Sequence, residues 1–370
     1  MSLTLLHVFP TLAVGGQQTR FATIANWLAQ EFRHRLISLD GRDEAVSLLD
    51  PMLDFAVLHT AKSTGNPLKD LPAIARLGNL TRADVLITYN WGSIDWAIVN
   101  RLHFHRPHIH LEDGFGPEEA DRQKGRRVLM RRLFLKRSVV VVPSKKLERI
   151  AQDIWHLNRR RVHYIPNGID ATRFDNIPLD GEPFFHREHD DFVIGAFSPL
   201  RREKNLQRLL RAFAEMSTLG SQVRLVICGD GPERAPLSDL ATRLKIGKKV
   251  TFTGHVPRPE AVMGAFDVFG MTSDTEQMPY AVLEAMCARL PVVATNVGDI
   301  QGMVAPENRP FIVPRDAPGF LVDALSRLSA DRRLRGQIGR ANRERAEQAF
   351  GIGSMAESFR QLLIEACPAA

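Results

Sequence analysis

Cysteine, long apolar runs and a basic N-terminal leader are scarce or missing in this sequence, and each absence excludes a class of protein. The three cysteines, Cys228, Cys287 and Cys367, lie far apart and lack metal-ligand spacing, which argues against a disulfide-rich or zinc-stabilised domain. No apolar run approaches the length of a membrane span, and the first residues, MSLTLLHVFP, have no basic segment before their apolar run. We therefore expect a protein of the reducing cytoplasm.

Length and charge narrow the class further. The chain has 370 residues, of which 44% are hydrophobic and 25% charged, so two soluble α/β domains are expected rather than one core. The net charge of +7 indicates an anionic partner, but nucleotide diphosphates, anionic lipids and nucleic acids all fit that description.

Short apolar runs alternate with helical patterns through the first half, which is typical of parallel βαβ units. The predicted strands span residues 4–9, 34–39, 55–58, 84–88, 108–112, 139–142 and 162–165. A doubly wound sheet follows from this pattern, and its ligands are expected beyond the carboxyl ends of the strands.

Three of these strand ends carry candidate site residues. Gly15 and Gly16 follow the first strand and precede a helix near Gln17, so the backbone there can approach a ligand closely. The other candidates follow the fourth and fifth strands and are Asn90, Trp91, Glu112 and Asp113. Each also has a plain structural interpretation, because turns need glycine and paired acids often form Asx turns or helix caps.

The most basic segment, RQKGRRVLMRRLFLKR, begins at Arg122 and ends at Arg137. Its apolar residues recur at helical spacing, which fits a helix lying on anionic membrane lipids. It fits equally a surface helix whose apolar stripe packs on the sheet. A nucleic-acid partner is not expected, because Phe134 is the single aromatic residue among these charges.

The second half repeats the βαβ pattern. Arg201, Arg202 and Lys204 follow a predicted strand and precede a helix over 206–216, and cations at a helix start run against the usual dipole preference. An anion site is one explanation of that placement. Gly229 opens the turn GDGPER after the next strand.

Two glutamates eight positions apart stand out between residues 273 and 299. Glu276 lies in a polar loop, and Glu284 lies about one turn inside a predicted helix over 280–288. The first backbone N–H groups of a helix lack partners and can hold an anion such as a diphosphate. A carboxylate on each side of it suits the hydroxyls of a ribose and of a sugar, although glutamate is also common in any first turn.

The whole chain resembles the retaining nucleotide-sugar glycosyltransferases of family four. The residues that carry the resemblance are Gly15 and Gly16, the turn Pro166 to Asp170, LRREKN, GDGPER, the strand end from Thr251 to Gly254, and Glu276 with Glu284 and LEAMCARLPVVAT. The family implies the GT-B architecture, in which two Rossmann-like doubly wound domains face each other across a cleft and a C-terminal helix crosses back. The predicted divisions are residues 1–175 on the acceptor side, a linker over 176–191, a donor domain over 192–348 and a returning helix over 349–370.

The resemblance also implies roles for individual residues. Lys204 with Arg201 or Arg202 would stabilise the leaving diphosphate, Glu284 would hold the ribose, and Glu276 would hold the sugar. The donor would further contact Gly15, Gly16, Asp113, Gly229, Met278, Pro279 and Tyr280. Asn90, Trp91 and Glu112 would face the acceptor, a saccharide or lipid-linked sugar of envelope polysaccharide or glycolipid synthesis. No metal or cofactor is implied, and Gly168 is expected to take a positive φ in its turn.

The sequence departs from the family pattern at several positions. Ser198 and Pro199 stand where Gly and Arg are usual, and Asp113 replaces a histidine that contacts the donor sugar. Gln277, Met278 and Pro279 replace a Gly-Phe-Gly run. Two alternatives therefore stay open: a non-catalytic GT-B-like nucleotide-binding or scaffold protein, and a nucleotide-sugar epimerase or phosphorylase-like enzyme.

Overall fold

The computed structural model describes residues 2–58, 67–116, 119, 122–217 and 222–367. The chain divides into two compact units. Unit 1 comprises Met1–Gly168 together with Ile352–Ala370, and unit 2 comprises Ile169–Gly351.

The strands and helices of the described residues are numbered in chain order. The strands are β1 (Leu3–Phe9), β2 (Phe32–Ser38), β3 (Phe55–Leu58), β4 (Val85–Tyr89), β5 (His108–Leu111), β6 (Val139–Val142), β7 (Val162–Tyr164), β8 (Phe192–Phe197), β9 (Val223–Cys228), β10 (Val250–Gly254), β11 (Val268–Met271), β12 (Val292–Thr295) and β13 (Ile312–Val313). The helices are α1 (Gly16–Leu28), α2 (Pro67–Thr81), α3 (Ile94–Val99), α4 (Gly125–Phe134), α5 (Lys145–Arg149), α6 (Leu206–Met216), α7 (Arg234–Arg243), α8 (Glu260–Met263), α9 (Tyr280–Cys287), α10 (Ile300–Met303), α11 (Pro318–Ala330), α12 (Arg332–Ala349) and α13 (Ile352–Ala366).

Unit 1 is built on a parallel sheet with strand order β3-β2-β1-β4-β5-β6-β7. Alternate residues of β1 enter different apolar clusters: Leu5 and Phe9 pack in one, and Leu6 and Val8 in another. Both faces of the sheet are therefore covered, as the alternation of side chains along a strand requires when helices flank a parallel sheet.

The last helix of the chain completes unit 1. On α13 the side chains of Met355, Phe359, Leu362 and Leu363 are buried in the same cluster as Leu5, and α13 packs against α1. Its apolar residues recur at intervals of three and four positions, so they line one face of the helix.

Unit 2 has a second parallel sheet, with strand order β10-β9-β8-β11-β12-β13. Separate apolar clusters cover its two faces: Val193 and Val226 lie in one, and Ile194 and Leu225 in the other. The predicted fold class, two Rossmann-like domains, is confirmed.

Residues 169–191 belong to unit 2 rather than forming a separate linker between 176 and 191. The Ile169 N–H donates to the Phe350 carbonyl at 2.7 Å, and Phe174 and Phe185 are buried in the core of unit 2. These phenylalanines supply core contacts without any periodic pattern, which is why the segment reads as a linker in sequence.

The expected positive φ at Gly168 is not found. The positive-φ glycines of the described residues are Gly41, Gly114, Gly181, Gly229, Gly231, Gly254 and Gly298. The Gly168 N–H instead approaches Met355 Sδ of α13 at 3.0 Å, so the glycine lies against the helix that closes unit 1.

Candidate functional site

In unit 2 the strand order changes direction between β8 and β11. From β8 the chain continues outward to β9, and from β11 it continues to β12 on the other side. In open α/β sheets ligands bind beyond the carboxyl ends of the strands at such a switch point. The loops that leave these two strands span residues 198–205 and 272–279. They contain half of the predicted catalytic and donor-binding residues, namely Arg201, Arg202, Lys204, Glu276, Met278 and Pro279.

The structure brings Lys204 and Glu276 together from these two loops. Lys204 Nζ donates to Glu276 Oε1 at 2.6 Å, and Ser273 Oγ donates to the same oxygen at 2.8 Å. The Lys204 and Glu276 side chains are 20% and 10% exposed, so the pair is partly shielded but reachable from solvent. Two predicted residues 72 positions apart therefore form one polar centre.

A second set of contacts fixes the same loops. Asp274 accepts hydrogen bonds from Arg208 Nη2 at 2.9 Å and from Asn205 Nδ2 at 3.0 Å. Arg208 Nη1 also donates to the Thr272 carbonyl at 2.6 Å, and the Asp274 N–H donates to the Glu203 carbonyl. The charged residues Arg208 and Asp274, which the sequence analysis did not single out, thus set the position of Lys204 relative to Glu276.

Arg201 and Arg202 remain exposed beside this centre. They line an open pocket of about 300 Å³ together with Asn205, Glu233 and Asp274. Neither arginine forms an ion pair with any residue that the structure describes. Their charges can therefore meet an anionic ligand without first breaking a salt bridge.

The turn after β9 packs directly on the loop that carries these arginines. Gly229 has φ +141°, and a Cβ there would lie 1.9 Å from the Ser198 carbonyl oxygen. A Cβ at Gly231, φ +154°, would lie 2.5 Å from the Leu200 oxygen. Both positions need glycine because of backbone conformation and close approach.

The third predicted donor segment leads into α9. Met278 is buried, Pro279 is the N-cap residue, and the helix begins at Tyr280 with no side chain capping it. Gly298 lies over this segment: a Cβ there would come within 2.5 Å of the Glu276 and Gln277 carbonyl oxygens. The start of α9 thus lies on the same chain segment as Glu276, as the sequence predicts.

Glu284 lies on the second turn of α9 and is half-buried. Burial raises the pKa of its carboxyl to about 7, and nearby Arg173 offsets only part of that rise. Desolvation penalises the charged form of a carboxyl group. The group is therefore divided between its acid and its carboxylate at neutral pH, so it can donate as well as accept a hydrogen bond.

Unit 1 has its own switch point between β1 and β4. A pocket of about 430 Å³ lies at the carboxyl ends of these strands and of β5. Its lining includes residues that follow β4 and β5 and residues of the basic segment. They are Asn90, Trp91, Asp113, Phe115, Arg127 and Arg131, together with Pro10 and Glu119. Gly16 begins α1 and Gly15 precedes it in an extended conformation, so neither glycine is required there by a positive φ.

Asp113, which replaces the family histidine, is held by α1. Its carboxylate accepts hydrogen bonds from Arg20 Nη1 at 3.0 Å and from Gln17 Nε2 at 2.9 Å. The Arg20 side chain is only 1% exposed, and its Nη2 donates to the Ile165 carbonyl at 2.7 Å. Asn90 accepts from the Asp113 N–H at 2.7 Å. An acid at position 113 is thus matched to a buried arginine.

Glu112 is fully buried, which places its carboxylate away from the pocket's solvent, in contrast to its predicted acceptor-side role. Its Oε2 accepts from Arg131 Nε at 2.9 Å. The Arg131 guanidinium is also buried and lies 4.8 Å from the Trp155 ring centroid and 5.1 Å from that of Trp91. Arg131 Nη1 and Nη2 have no hydrogen-bond partner among the described residues, although this residue lines the pocket.

Arg20 and Arg131 show what the sequence analysis missed. Arginine is rarely buried unless paired, so nothing in a single sequence distinguishes these two from solvated arginines. Arg131 lies within the basic segment from Arg122 to Arg137, for which a helix on membrane lipids and a surface helix packed on the sheet are both expected. In the structure the helix of this segment, α4, buries Arg131. Its spacing from Trp91 in sequence gives no signal of contact.

Two further features bear on the expectations. Among the residues that the structure describes, no cluster of three or more His, Cys, Asp or Glu side chains is suited to hold a metal ion; whether the chain needs a metal stays a prediction. No described helix combines the length and the apolar character that crossing a membrane requires.

Family models match both halves of the chain. The model described as Glycosyltransferase Family 4 matches residues 14–173, and the model described as Glycosyl transferases group 1 matches residues 182–345. The first matched range contains every lining residue of the unit 1 pocket except Pro10, and the second contains the Lys204–Glu276 centre.

Curated relatives and solved structures agree with these matches. The chain is 31% identical to 2-deoxystreptamine glucosyltransferase of Streptomyces kanamyceticus over 40% of its length and 41% of the relative. It is 28% identical to alpha-monoglucosyldiacylglycerol synthase of Streptococcus pneumoniae over 50% of its length and 44% of the relative. The chain thus spans less than half the length of these curated relatives. A crystal structure of Anabaena HepE in complex with UDP matches with a TM-score of 0.83 at 20% identity, covering 98% of this chain and 100% of the other, which shows the fold.

Proposed function

Because this chain belongs to the glycosyl transferases of group 1, we propose that it transfers a sugar from a nucleoside diphosphate sugar to an acceptor hydroxyl. The observation that carries the proposal is the polar centre of Lys204, Glu276 and Ser273 at the switch point of unit 2. Basic groups that face an open pocket there suit a diphosphate, and a carboxylate beside them suits a sugar hydroxyl.

The donor would lie along the carboxyl edge of the unit 2 sheet. Arg201, Arg202 and Lys204 would contact the diphosphate together with N–H groups at the start of α9. Glu284 would hold the ribose hydroxyls, accepting from one hydroxyl as a carboxylate or donating to it as an acid. HepE, which shares the fold, binds UDP, so UDP-sugars are the first donors to test.

The chemistry follows from where charge develops. Departure of the leaving group places negative charge on the diphosphate while the sugar becomes oxocarbenium-like. Fixed cations act at that point without reorganisation, and loss of one such group costs about 10²-fold in rate. We propose that Lys204, assisted by Arg201 or Arg202, supplies this stabilisation, that no metal is needed, and that transfer retains the anomeric configuration, in keeping with the family resemblance.

The acceptor would occupy the unit 1 pocket. Trp91 and Phe115 offer aromatic surface for a sugar ring, while Asp113 and Arg127 offer polar groups at its rim. The buried Arg131 has two nitrogens available for hydrogen bonds. The similar S. pneumoniae protein is named for a glycosylated diacylglycerol, so a saccharide or lipid-linked acceptor in envelope polysaccharide or glycolipid synthesis is proposed, at the cytoplasmic side of the membrane.

A donor screen tests the proposal. The full-length protein is incubated with UDP-, GDP-, ADP- and dTDP-sugars, with mixed glycan and glycolipid acceptors and with EDTA, and products are followed by mass spectrometry. Sugar transfer from one donor, retained in EDTA and lowered about 10²-fold or more in Lys204→Met, is the expected result. The anomeric proton coupling of the product measures retention. An Arg333→Gln variant, changed at an exposed arginine of α12, serves as the matched charge control.

One specific observation favours a second candidate. Asp113 stands where the family usually carries a sugar-contacting histidine, and both of its carboxylate oxygens are already engaged by α1. A non-catalytic nucleotide-binding protein would keep the unit 2 site and lose this contact. Nucleotide binding without transfer or donor hydrolysis would select that candidate over the transferase.

A further inference from the structure

A second pocket of unit 1 lies at the opposite edge of the sheet from the proposed acceptor pocket. Its volume is about 330 Å³. Three of its lining residues, Pro107, Ser138 and Arg161, immediately precede the strands β5, β6 and β7 respectively. Strands of a parallel sheet start at one edge, so this pocket opens at the amino-terminal edge.

The lining of this pocket is strongly basic. Arg101, Arg106, Arg137, Arg161 and His105 contribute to it, and no Asp or Glu does. None of the four arginines forms an ion pair with a described residue. Arg161 Nη1 donates to the Arg137 carbonyl at 2.9 Å, which holds one of them in place. Four cations around one pocket repel each other unless an anion enters, and guanidinium groups bind phosphate with favourable geometry.

The outer face of α4 adjoins the pocket. Leu129 and Leu133, one helical turn apart, are each 53% exposed. Leu102, next to the pocket residue Arg101, is 66% exposed. Arg126, Arg132 and Lys136 are exposed around these leucines, and the sequence from residue 122 to 137 contains no acidic residue. Exposure of these leucines to water is unfavourable, whereas the surface of an anionic bilayer accommodates both the leucines and the basic residues around them.

The pocket and the helix face form one continuous surface. Phe134, the last residue of α4, and Arg137 beyond it both line the pocket. We propose that this surface docks on a bilayer that contains anionic phospholipid, with Leu102, Leu129 and Leu133 in the interface and a headgroup phosphate in the arginine pocket. The proposal stands apart from the catalytic one, because none of these residues belongs to the donor or acceptor sites.

A bilayer fits this surface better than a nucleic acid does. Proteins that bind single strands stack bases on aromatic side chains, and the exposed apolar residues here are leucines. Each basic residue near an anionic membrane surface contributes about 1 kcal/mol. Several of them, with the leucines, give reversible attachment and not permanent insertion.

Vesicle flotation of the full-length protein tests the proposal. The vesicles contain phosphatidylcholine alone or mixed with phosphatidylglycerol, at low and high salt. The wild type should float with the anionic vesicles only, and high salt should release it. Arg101→Gln/Arg137→Gln and, separately, Leu129→Gln/Leu133→Gln should each lower the partition coefficient by about tenfold or more. The matched control Arg333→Gln/Arg340→Gln removes two exposed charges from α12 and should float like the wild type.

Each other outcome overturns the proposal. It fails if the wild type does not bind anionic vesicles at low salt, if it binds neutral vesicles equally, or if the α12 control loses as much binding as the pocket variant. Titration with inorganic phosphate and with a single-stranded oligonucleotide tests whether the anion that enters the arginine pocket comes from a ligand other than a phospholipid. Saturable binding of either one, without vesicle binding, would assign the pocket to that ligand. Melting temperatures of all variants establish that they are folded.

Discussion

Glu284 shows how one desolvated carboxyl makes the stability of the protein depend on pH. The folded chain raises its pKa from the ordinary 4.5 to about 7 through burial. Between these two values the folded protein keeps a proton that the unfolded chain releases, so the free energy of unfolding falls as pH rises through this window. Above pH 7 the cost is complete, because the folded state then holds a desolvated charge.

Replacing this carboxyl with an amide removes the titration. We expect Glu284→Gln to raise the melting temperature relative to the wild type at pH 8, with a smaller difference at pH 5. Scanning calorimetry across this range measures the trend, with Glu307→Gln at an exposed position as the control for losing one carboxylate. A gain for Glu284→Gln that does not change with pH would contradict the account.

Asp113 and Arg20 are expected to depend on each other. Removal of one partner of a buried pair leaves an uncompensated charge, which costs about 3 kcal/mol or more. Asp113→His, the change toward the family residue, should therefore destabilise this chain as strongly as Asp113→Ala, because imidazole cannot replace the carboxylate that Arg20 contacts. Urea unfolding gives the free energies.

A double-mutant cycle is the control for this pair. Arg20→Met combined with Asp113→His should recover part of the loss, because the buried charge is then gone. A cost below about 1 kcal/mol for Asp113→Ala, the range of an exposed ion pair, would show that the two side chains are not coupled in this way.

At the residue level the sequence predicts candidates better than contacts. Glu276, Lys204 and Asp113 were identified in advance because their types and their places after strands suggest chemistry. Their partners Ser273, Arg208 and Arg20 were not, since hydrogen bonds between residues as distant as Arg20 and Asp113 depend on how the strands order in the sheet. Glu112 is predicted to face the acceptor, yet its side chain is fully buried and paired with the equally buried Arg131.

Among the elements, the loops after β8, β9 and β11 form one assembly. The N–H of Ser198 donates to the Cys228 carbonyl at 3.0 Å, and the Leu200 N–H donates to the Asp230 carbonyl at 2.9 Å. The loop over residues 198–205 is thus held in part by the turn at Gly229. The positions of Arg201 and Lys204 therefore depend on these hydrogen bonds between the loop and the turn.

Gly229→Ala is expected to push the turn after β9 away from the loop at Ser198. The positive φ alone costs about 2 kcal/mol, and the added Cβ would meet the Ser198 carbonyl oxygen. Both stability and nucleotide affinity should fall, as measured by urea unfolding and calorimetric titration. Gly319→Ala is the matched control: its Cβ enters open space in α11, and it should stabilise the helix by about 0.5 kcal/mol. Unchanged affinity in Gly229→Ala would contradict the role of the turn.

The helices and strands themselves were predictable because parallel strands buried on both faces are continuous apolar runs. The predicted strands over 55–58 and 139–142 match β3 and β6, and the helix over 206–216 matches α6. The burial of the segment that follows residue 170 was not predictable. Phe174 enters the core of unit 2 from the end of a single short 3-10 helix, and Phe185 enters it directly after a turn. Periodicity carries no signal in such a segment.

For the molecule as a whole, the chain leaves unit 1 at Gly168 and returns to it at Ile352. The account predicts that α13 stabilises unit 1 alone. Phe359→Ala removes a side chain that is 4% exposed and should cost about 3–5 kcal/mol. Hydrogen exchange should then show lower protection in β1–β7 and unchanged protection in β8–β13.

Ile364→Ala is the control for this change, because Ile364 lies on the same helix but is 45% exposed. It should leave exchange in both sheets near the wild-type level. Equal losses of protection in the two sheets of Phe359→Ala would mean that the units do not unfold separately.

The measurement that tests the central claim most directly is calorimetric titration of the full-length protein with UDP, GDP, ADP and dTDP and the matching monophosphates. The account predicts that one diphosphate binds, at least about tenfold more tightly than its monophosphate, since charge-assisted contacts to the second phosphate each contribute about 1.5–3 kcal/mol. Lys204→Met should remove that preference, and Arg333→Gln should not. Failure of every diphosphate to bind, or equal binding by Lys204→Met, would contradict the assignment of unit 2 as the donor site.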